Sequence, residues 1–120
     1  MMIQENRICM ALDLNDNPAL IAEYKRYHEP GNVWKEVIES IHNAGVENMQ
    51  IYLSGNRLFM IMEIDDTFTL EKKAAMDLAN ARVQEWEDLM QSKFQKALPW
   101  EKKIKWVQMD LIFNLQDHTL

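Results

Sequence analysis

The sequence predicts an α+β domain of β-α-β-β-α-β order, a ferredoxin-like arrangement with an antiparallel sheet and its helices on one face. Three observations carry this reading. Two apolar runs, 49–53 and 58–64, are separated only by Ser54-Gly55-Asn56-Arg57, which is turn chemistry and makes them a hairpin. On either side of that hairpin, apolar residues recur at helical spacing. A further short apolar run lies near each end of the chain, at 7–14 and 106–113.

Arg7 to Leu14 (RICMALDL) is short and mostly apolar, so it reads as a strand. Asp16-Asn17-Pro18 supplies a cap residue followed by proline and starts a helix that runs to His28. That helix places Leu20, Ile21, Tyr24 and His28 on one face, and Pro30-Gly31 breaks it. A second helical stretch spans Val33 to Ala44, with Trp34, Val37, Ile38 and Ile41 in period, and Gly45 is positioned to end it in a left-handed cap. Met49 to Leu53 is the next strand. Leu58 to Ile64 (LFMIMEI) is nearly all apolar, which predicts cover on both of its faces. Thr69 to Leu78 is a short helix broken near Asn80. A longer helix, Ala81 to Lys96, turns Val83, Trp86, Leu89, Met90 and Phe94 inward, and Trp106 to Phe113 is the last strand. Because that strand has apolar side chains on both faces, a second copy of the chain is expected to cover the sheet, giving a homodimer.

The length of 120 residues suits one domain, 1–120, with one core. A net charge of -6 with no long run of Lys or Arg makes nucleic acid a poor partner. No apolar run approaches the ~20 residues that span a bilayer, and the first seven residues lack a signal-peptide layout. The single cysteine, Cys9, allows no internal disulfide and fits a reducing, cytoplasmic setting. Nine methionines and four tryptophans suit an adaptable apolar pocket or interface as well as core filling.

The chemistry centres on Tyr24 and His28, four residues apart and so one turn apart on one helix face. An imidazole beside a phenol can exchange protons near neutral pH, so the pair fits acid/base work in a small pocket; it fits a half-buried helix end as well. His42 lies on a polar helix side and His118 in the C-terminal tail, and no two histidines have metal-ligand spacing, so no bound metal is expected. No nucleophile elbow and no phosphate-cradling glycine loop is present. Trp34, Tyr52 and Trp86 can stack against a sugar or another planar ligand, or fill the core. Glu63, flanked by Met60 and Met62, reads as a buried partner for a pocket group or as a strand end.

Four segments together resemble the L-rhamnose mutarotase family. They are E-Y-x-R-x-H-x-P with W-x-E (Glu23, Tyr24, Arg26, His28, Pro30, Trp34, Glu36), G-x-x-N-x-x-I-Y-L (Gly45 to Leu53), L-F-x-x-x-E-I (Leu58 to Ile64) and Q-x-W-x-x-x-M (Gln84, Trp86, Met90). The resemblance covers nearly the whole chain in order. It implies a dimeric α+β barrel and a cofactor-free isomerase that equilibrates the α and β anomers of a 6-deoxy sugar. It places the catalytic histidine on His28, a substrate tyrosine on Tyr24 and one of two adjacent substrate tryptophans on Trp86. The second tryptophan is Glu87 here, and a further substrate tyrosine is Met49. The loop after His28 is two residues longer around Gly31-Asn32. These departures make L-fucose a candidate substrate beside L-rhamnose. A binding module, or a dimeric-barrel monooxygenase acting on an aromatic substrate, shares the topology; a polar pocket would favour the sugar.

Overall fold

A computed structural model describes residues 6–120. Strands β1 (Arg7–Leu14), β2 (Val46–Ser54) and β3 (Arg57–Ile64) form the body of an antiparallel sheet in the order β2-β3-β1. Two short strands, β4 (Gln95–Lys96) and β5 (Val107–Gln108), share the far edge of β1. Helices α1 (Pro18–Tyr27), α2 (Lys35–Asn43), α3 (Leu70–Leu78) and α4 (Ala81–Leu89) complete the α+β fold.

The helix starts follow from local chemistry. The Asn17 side chain accepts from the backbone N–H groups of Ala19 and Leu20, with Pro18 at the first helical position. Thr69 caps α3 through the N–H of Lys72, and Asn80 caps α4 through Arg82 and Val83. Gly45 ends α2 at φ +99, a left-handed conformation that costs a residue with a Cβ about 1–2 kcal/mol. A Cβ there would also press on the Asp65 carboxylate, which is already engaged by Thr67.

Registry separates the two sheet faces. Ile8, Met10 and Leu12 of β1 lie opposite Met62, Met60 and Leu58 of β3 on the helix side. There Leu12, Leu58 and Met62 are essentially buried. One core cluster joins Leu14, Tyr24, Val37, Leu58, Val83, Trp86, Met90 and Phe94; a second joins Ala44, Val46, Met60, Met62 and Phe68. Ile41 and Trp106 pack against both.

Three expectations are corrected. Within one chain β3 is covered on one face only: Leu58, Met60 and Met62 are buried, whereas Phe59 and Ile61 on the reverse side are half-buried. Alternation along a strand explains this, since a run of apolar residues always divides between two faces. The helix expected over 81–96 ends at Leu89. A single π-type turn, Met90–Phe94, follows and then gives way to extended chain at Gln95, which pairs with Leu14. The wide turn keeps Met90 and Phe94 buried while releasing the chain toward the sheet. The strand expected over 106–113 forms only at Val107–Gln108, with one further bond from Met109 N–H to the Cys9 carbonyl. Continuing that registry would set the Asp110 carboxylate beside Ile8 on the apolar helix side, which is costly without a partner. Leu111, Ile112 and Phe113 instead run exposed, Ile112 at 93%.

Replacing Gly45 by alanine is expected to lower unfolding stability by about 2–3 kcal/mol, combining the left-handed backbone cost with displacement of Asp65. Urea denaturation followed by tryptophan fluorescence measures it.

Candidate active site

Helices α2, α3 and α4 and the covered sheet face line a half-open cavity of about 480 Å³, within the roughly 300–1,000 Å³ typical of small-molecule sites. Its apolar wall includes Met10, Met49, Met60, Met62, Trp86 and Trp106. Its polar wall is formed by Lys73, Asp77, Gln84, Glu87, Gln91 and Gln95. Methionine side chains are flexible and polarizable, so they suit the uneven apolar side of a small ring.

His28 is the C-cap residue of α1 and, like Tyr24, is not among the residues that line this cavity. Its ring is half-buried and meets Trp86 edge-on at 5.5 Å between centroids. Trp86 itself lines the cavity, so His28 is linked to it through contact with one wall residue. His28 Nδ1 lies 2.7 Å from the Tyr24 backbone oxygen. A carbonyl only accepts, so Nδ1 carries the hydrogen and the neutral ring leaves Nε2 as its lone-pair nitrogen. Among the described residues Nε2 has no hydrogen-bond partner. Burial lowers the His28 pKa below its ordinary 6.5, opposed by the bond to the Tyr24 backbone. The ring is therefore a neutral base at pH 7.

Tyr24 is buried, and its ring stacks on His28 at 4.2 Å with 29° between planes. The two therefore meet face to face, and the residue grips the imidazole through its ring and its backbone carbonyl. Desolvation pushes the phenol pKa up to about 12, against a smaller downward pull from the Gln95 side chain. The phenol thus stays protonated and can donate. Gln95 lines the cavity, which ties Tyr24 to the same site.

The remaining candidates divide. Met49, Trp86 and Glu87 are on the cavity wall. Trp34 supports Trp86 from behind, at 5.2 Å between ring centroids, and is itself covered by the Arg82 guanidinium at 3.7 Å. Tyr52 and Glu63 are not on this wall. Tyr52 is 54% exposed and lies opposite Phe59 on the bare sheet face, beside a shallow hollow shared with Arg57 and Ile61. Glu63 alternates with Met62 and so also points to that face, where it meets Arg7 at 3.9 Å rather than a pocket group. The flanking methionines do not bury it, because neighbours along a strand occupy opposite sides. Sequence reasoning missed Lys73, Asp77, Gln84 and Gln91. The spacing of Gln84, Glu87 and Gln91 on one helix face was the available clue.

Among the described residues no group of three or more His, Cys, Asp or Glu side chains is placed to hold a metal ion, and no helix is long and apolar enough to cross a membrane.

Comparison with known proteins gives concordant matches. The family model described as L-rhamnose mutarotase matches residues 7–115. An L-fucose mutarotase from Xanthomonas campestris pv. campestris is 44% identical over 112 residues, covering 92% of this chain and 89% of that protein. A UPF0734 protein from Dictyostelium discoideum is 37% identical over 113 residues, covering 88% of this chain and 86% of its own length. The crystal structure of an L-rhamnose mutarotase from Formosa agariphila superposes with a TM-score of 0.65 at 22% identity, covering 90% of this chain and 96% of that one, and shares the fold. With a family model spanning nearly its full length and relatives matching along most of it, the chain belongs to the L-rhamnose mutarotase family.

Proposed function

We propose that this protein is a sugar mutarotase that interconverts the α and β anomers of L-fucose, with His28 as the acid/base. The observation that carries the mechanism is the fixed tautomer of His28: Nδ1–H is held by a backbone oxygen, Nε2 is unengaged, and the ring meets the cavity residue Trp86 edge-on. The choice of L-fucose over L-rhamnose rests on the 44% identity to a protein named for the former. The polar wall of the cavity also suits a polyhydroxylated ring better than an aromatic substrate.

Mutarotation moves one proton and breaks one bond. Neutral Nε2 takes the proton from the anomeric hydroxyl as the C1–O5 bond opens. The imidazolium so formed gives that proton to O5, and an open-chain aldehyde results. Rotation about C1–C2 presents the other aldehyde face, and the same steps in reverse close the ring as the opposite anomer. Nothing is oxidised or reduced, and one imidazole serves both transfers, a contribution of roughly a hundredfold to ten-thousandfold. Tyr24 is the positioning residue, holding the ring plane and its tautomer. Trp86 and Met49 provide the apolar surface for the sugar's C–H face.

The protein acts in this reading as a cytoplasmic homodimer. Tyr52, Phe59 and Ile61 form the bare sheet face, and a second copy set against it completes a two-layer barrel. Light scattering at micromolar concentration is expected to give twice the monomer mass, and Ile61→Glu to give the monomer.

Replacing His28 with alanine is expected to lower enzyme-dependent anomer exchange on L-fucose at least about a hundredfold. Saturation-transfer NMR reads the rate and circular dichroism the fold; undiminished exchange in the folded variant would refute the assignment. The pH profile follows from the lowered His28 pKa. The midpoint of the acid-side fall in activity, where the base becomes protonated, should lie below pH 6.5. The sign for stability is the same. Between the folded pKa and 6.5 the unfolded chain binds more protons at this site, so stability also declines as pH falls through that window.

A further inference from the structure

Gln95 is a polar side chain set into an apolar surface. It stands opposite Leu14 where β4 pairs with β1, and directly paired residues share a sheet face, so its side chain goes where that of Leu14 goes, toward the helices. On that face Ile8, Met10, Leu12 and Leu14 of β1 and Leu58, Met60 and Met62 of β3 are all apolar. The backbone of Gln95 is fixed from two directions. Its N–H bonds to the Met90 carbonyl across the π-type turn, and its strand pairs with β1. The residue is 9% exposed, and it lines the cavity.

A carboxamide carries two N–H donors and one acceptor oxygen. Among the described residues the Tyr24 phenol is the one group hydrogen-bonded to this side chain. A phenol can donate or accept, so the amide can be set either way round; in both settings at least one N–H is left over. A donor held among apolar side chains without an acceptor is costly. The open side of Gln95 is the cavity, so its acceptor comes from there. The far end of the amide reaches the acid/base pair: Tyr24 stacks on His28 and holds Nδ1–H through its backbone oxygen. Neither Tyr24 nor His28 lines the cavity, whereas Gln95 is bonded to the first and open to the cavity.

We propose that Gln95 is a binding and positioning residue: one end of its carboxamide donates an N–H to an oxygen of a sugar in the cavity, and the other end holds the Tyr24 phenol, so that filling the cavity steadies the ring under His28. An uncharged donor suits a neutral, polyhydroxylated ligand. The proposal rests on the mutarotase reading above for the identity of that ligand.

Two measurements with L-fucose test it. Gln95→Met keeps the side-chain length and removes the amide, so the NH₂ pair missing from its 15N-correlated NMR spectrum is that of Gln95. On titrating the wild type with L-fucose this pair should shift, with the midpoint that calorimetry gives for binding. Dissociation constants are then compared for the wild type, Gln95→Met, Tyr24→Phe and the double variant. Gln95→Met should weaken binding about threefold to tenfold, the size of one uncharged hydrogen bond. Tyr24→Phe should weaken it by about twofold or more in the wild type and by clearly less in the Gln95→Met background, because the shared bond is already gone. A packing role would leave the NH₂ pair unmoved by sugar and make the two effects multiply, and either result overturns the proposal. If Gln95→Met does not fold, Gln95→Glu, which also lacks the pair, supplies the assignment and the wild-type titration decides. A wild type that binds L-fucose with the shift but exchanges no anomers sinks the mutarotase reading and upholds Gln95. Anomer exchange with an unmoved NH₂ pair does the reverse, and absence of sugar binding overturns both.

Discussion

The packing of Trp86 is the constraint on which the site depends. Its indole meets Tyr27, His28 and Trp34 edge-on at 5.2 to 6.1 Å between centroids, so one side chain of α4 locks α1 and the entry to α2. Edge-to-face contacts of this kind fix angle as well as distance. His28 therefore has little freedom to swing: its face is against Tyr24, its edge against Trp86 and its Nδ1–H on a carbonyl. The same residue forms part of the cavity wall. Core and site are thus one packing unit, and the imidazole is positioned by groups that also hold the helices on the sheet.

The charges nearest this unit are answered individually. Asp77, buried between α2 and α3, accepts from Ser40 Oγ at 3.1 Å and from Lys73 Nζ at 2.7 Å. On the opposite sheet face Asp13, 4% exposed, takes both arms of Arg57 at 2.8 and 3.3 Å, and that guanidinium lies over Trp100. A buried carboxylate lacking such partners would be strongly destabilising, so each network anchors a specific helix or strand registry. Glu87 is the exception on the cavity wall, with only half of its carboxylate engaged.

Much of this was legible from local chemistry. Asn17-Pro18, Thr69 and Asn80 mark helix starts because a side-chain oxygen must satisfy free N–H groups, and Gly45 marks a helix end because only glycine adopts φ +99 freely. The hairpin from Met49 to Ile64 is set by its four-residue turn. Tyr24 and His28 share a face because they are one turn apart. What was not legible depends on distant partners. Whether residues 106–113 form a strand is decided by what β1 can offer opposite Asp110, and the side to which Glu63 points is decided by registry with β1. The turn at Met90–Phe94 reflects a compromise between burying Phe94 and delivering Gln95 to Leu14, which no local pattern announces. The polar wall arises only when α3 and α4 are brought side by side.

Strand β2 is an outer strand of the sheet, and most of its side chains are exposed. An outer strand of this kind is a template onto which stray chains can polymerise. Here the pairing slips between Val46 and Asn48, leaving Glu47 as an extra residue. The slip interrupts the regular edge at the start of the strand, and it does so with a carboxylate as the extra residue. An extra charged residue at that margin disfavours the regular strand-on-strand pairing that fibrous self-association needs.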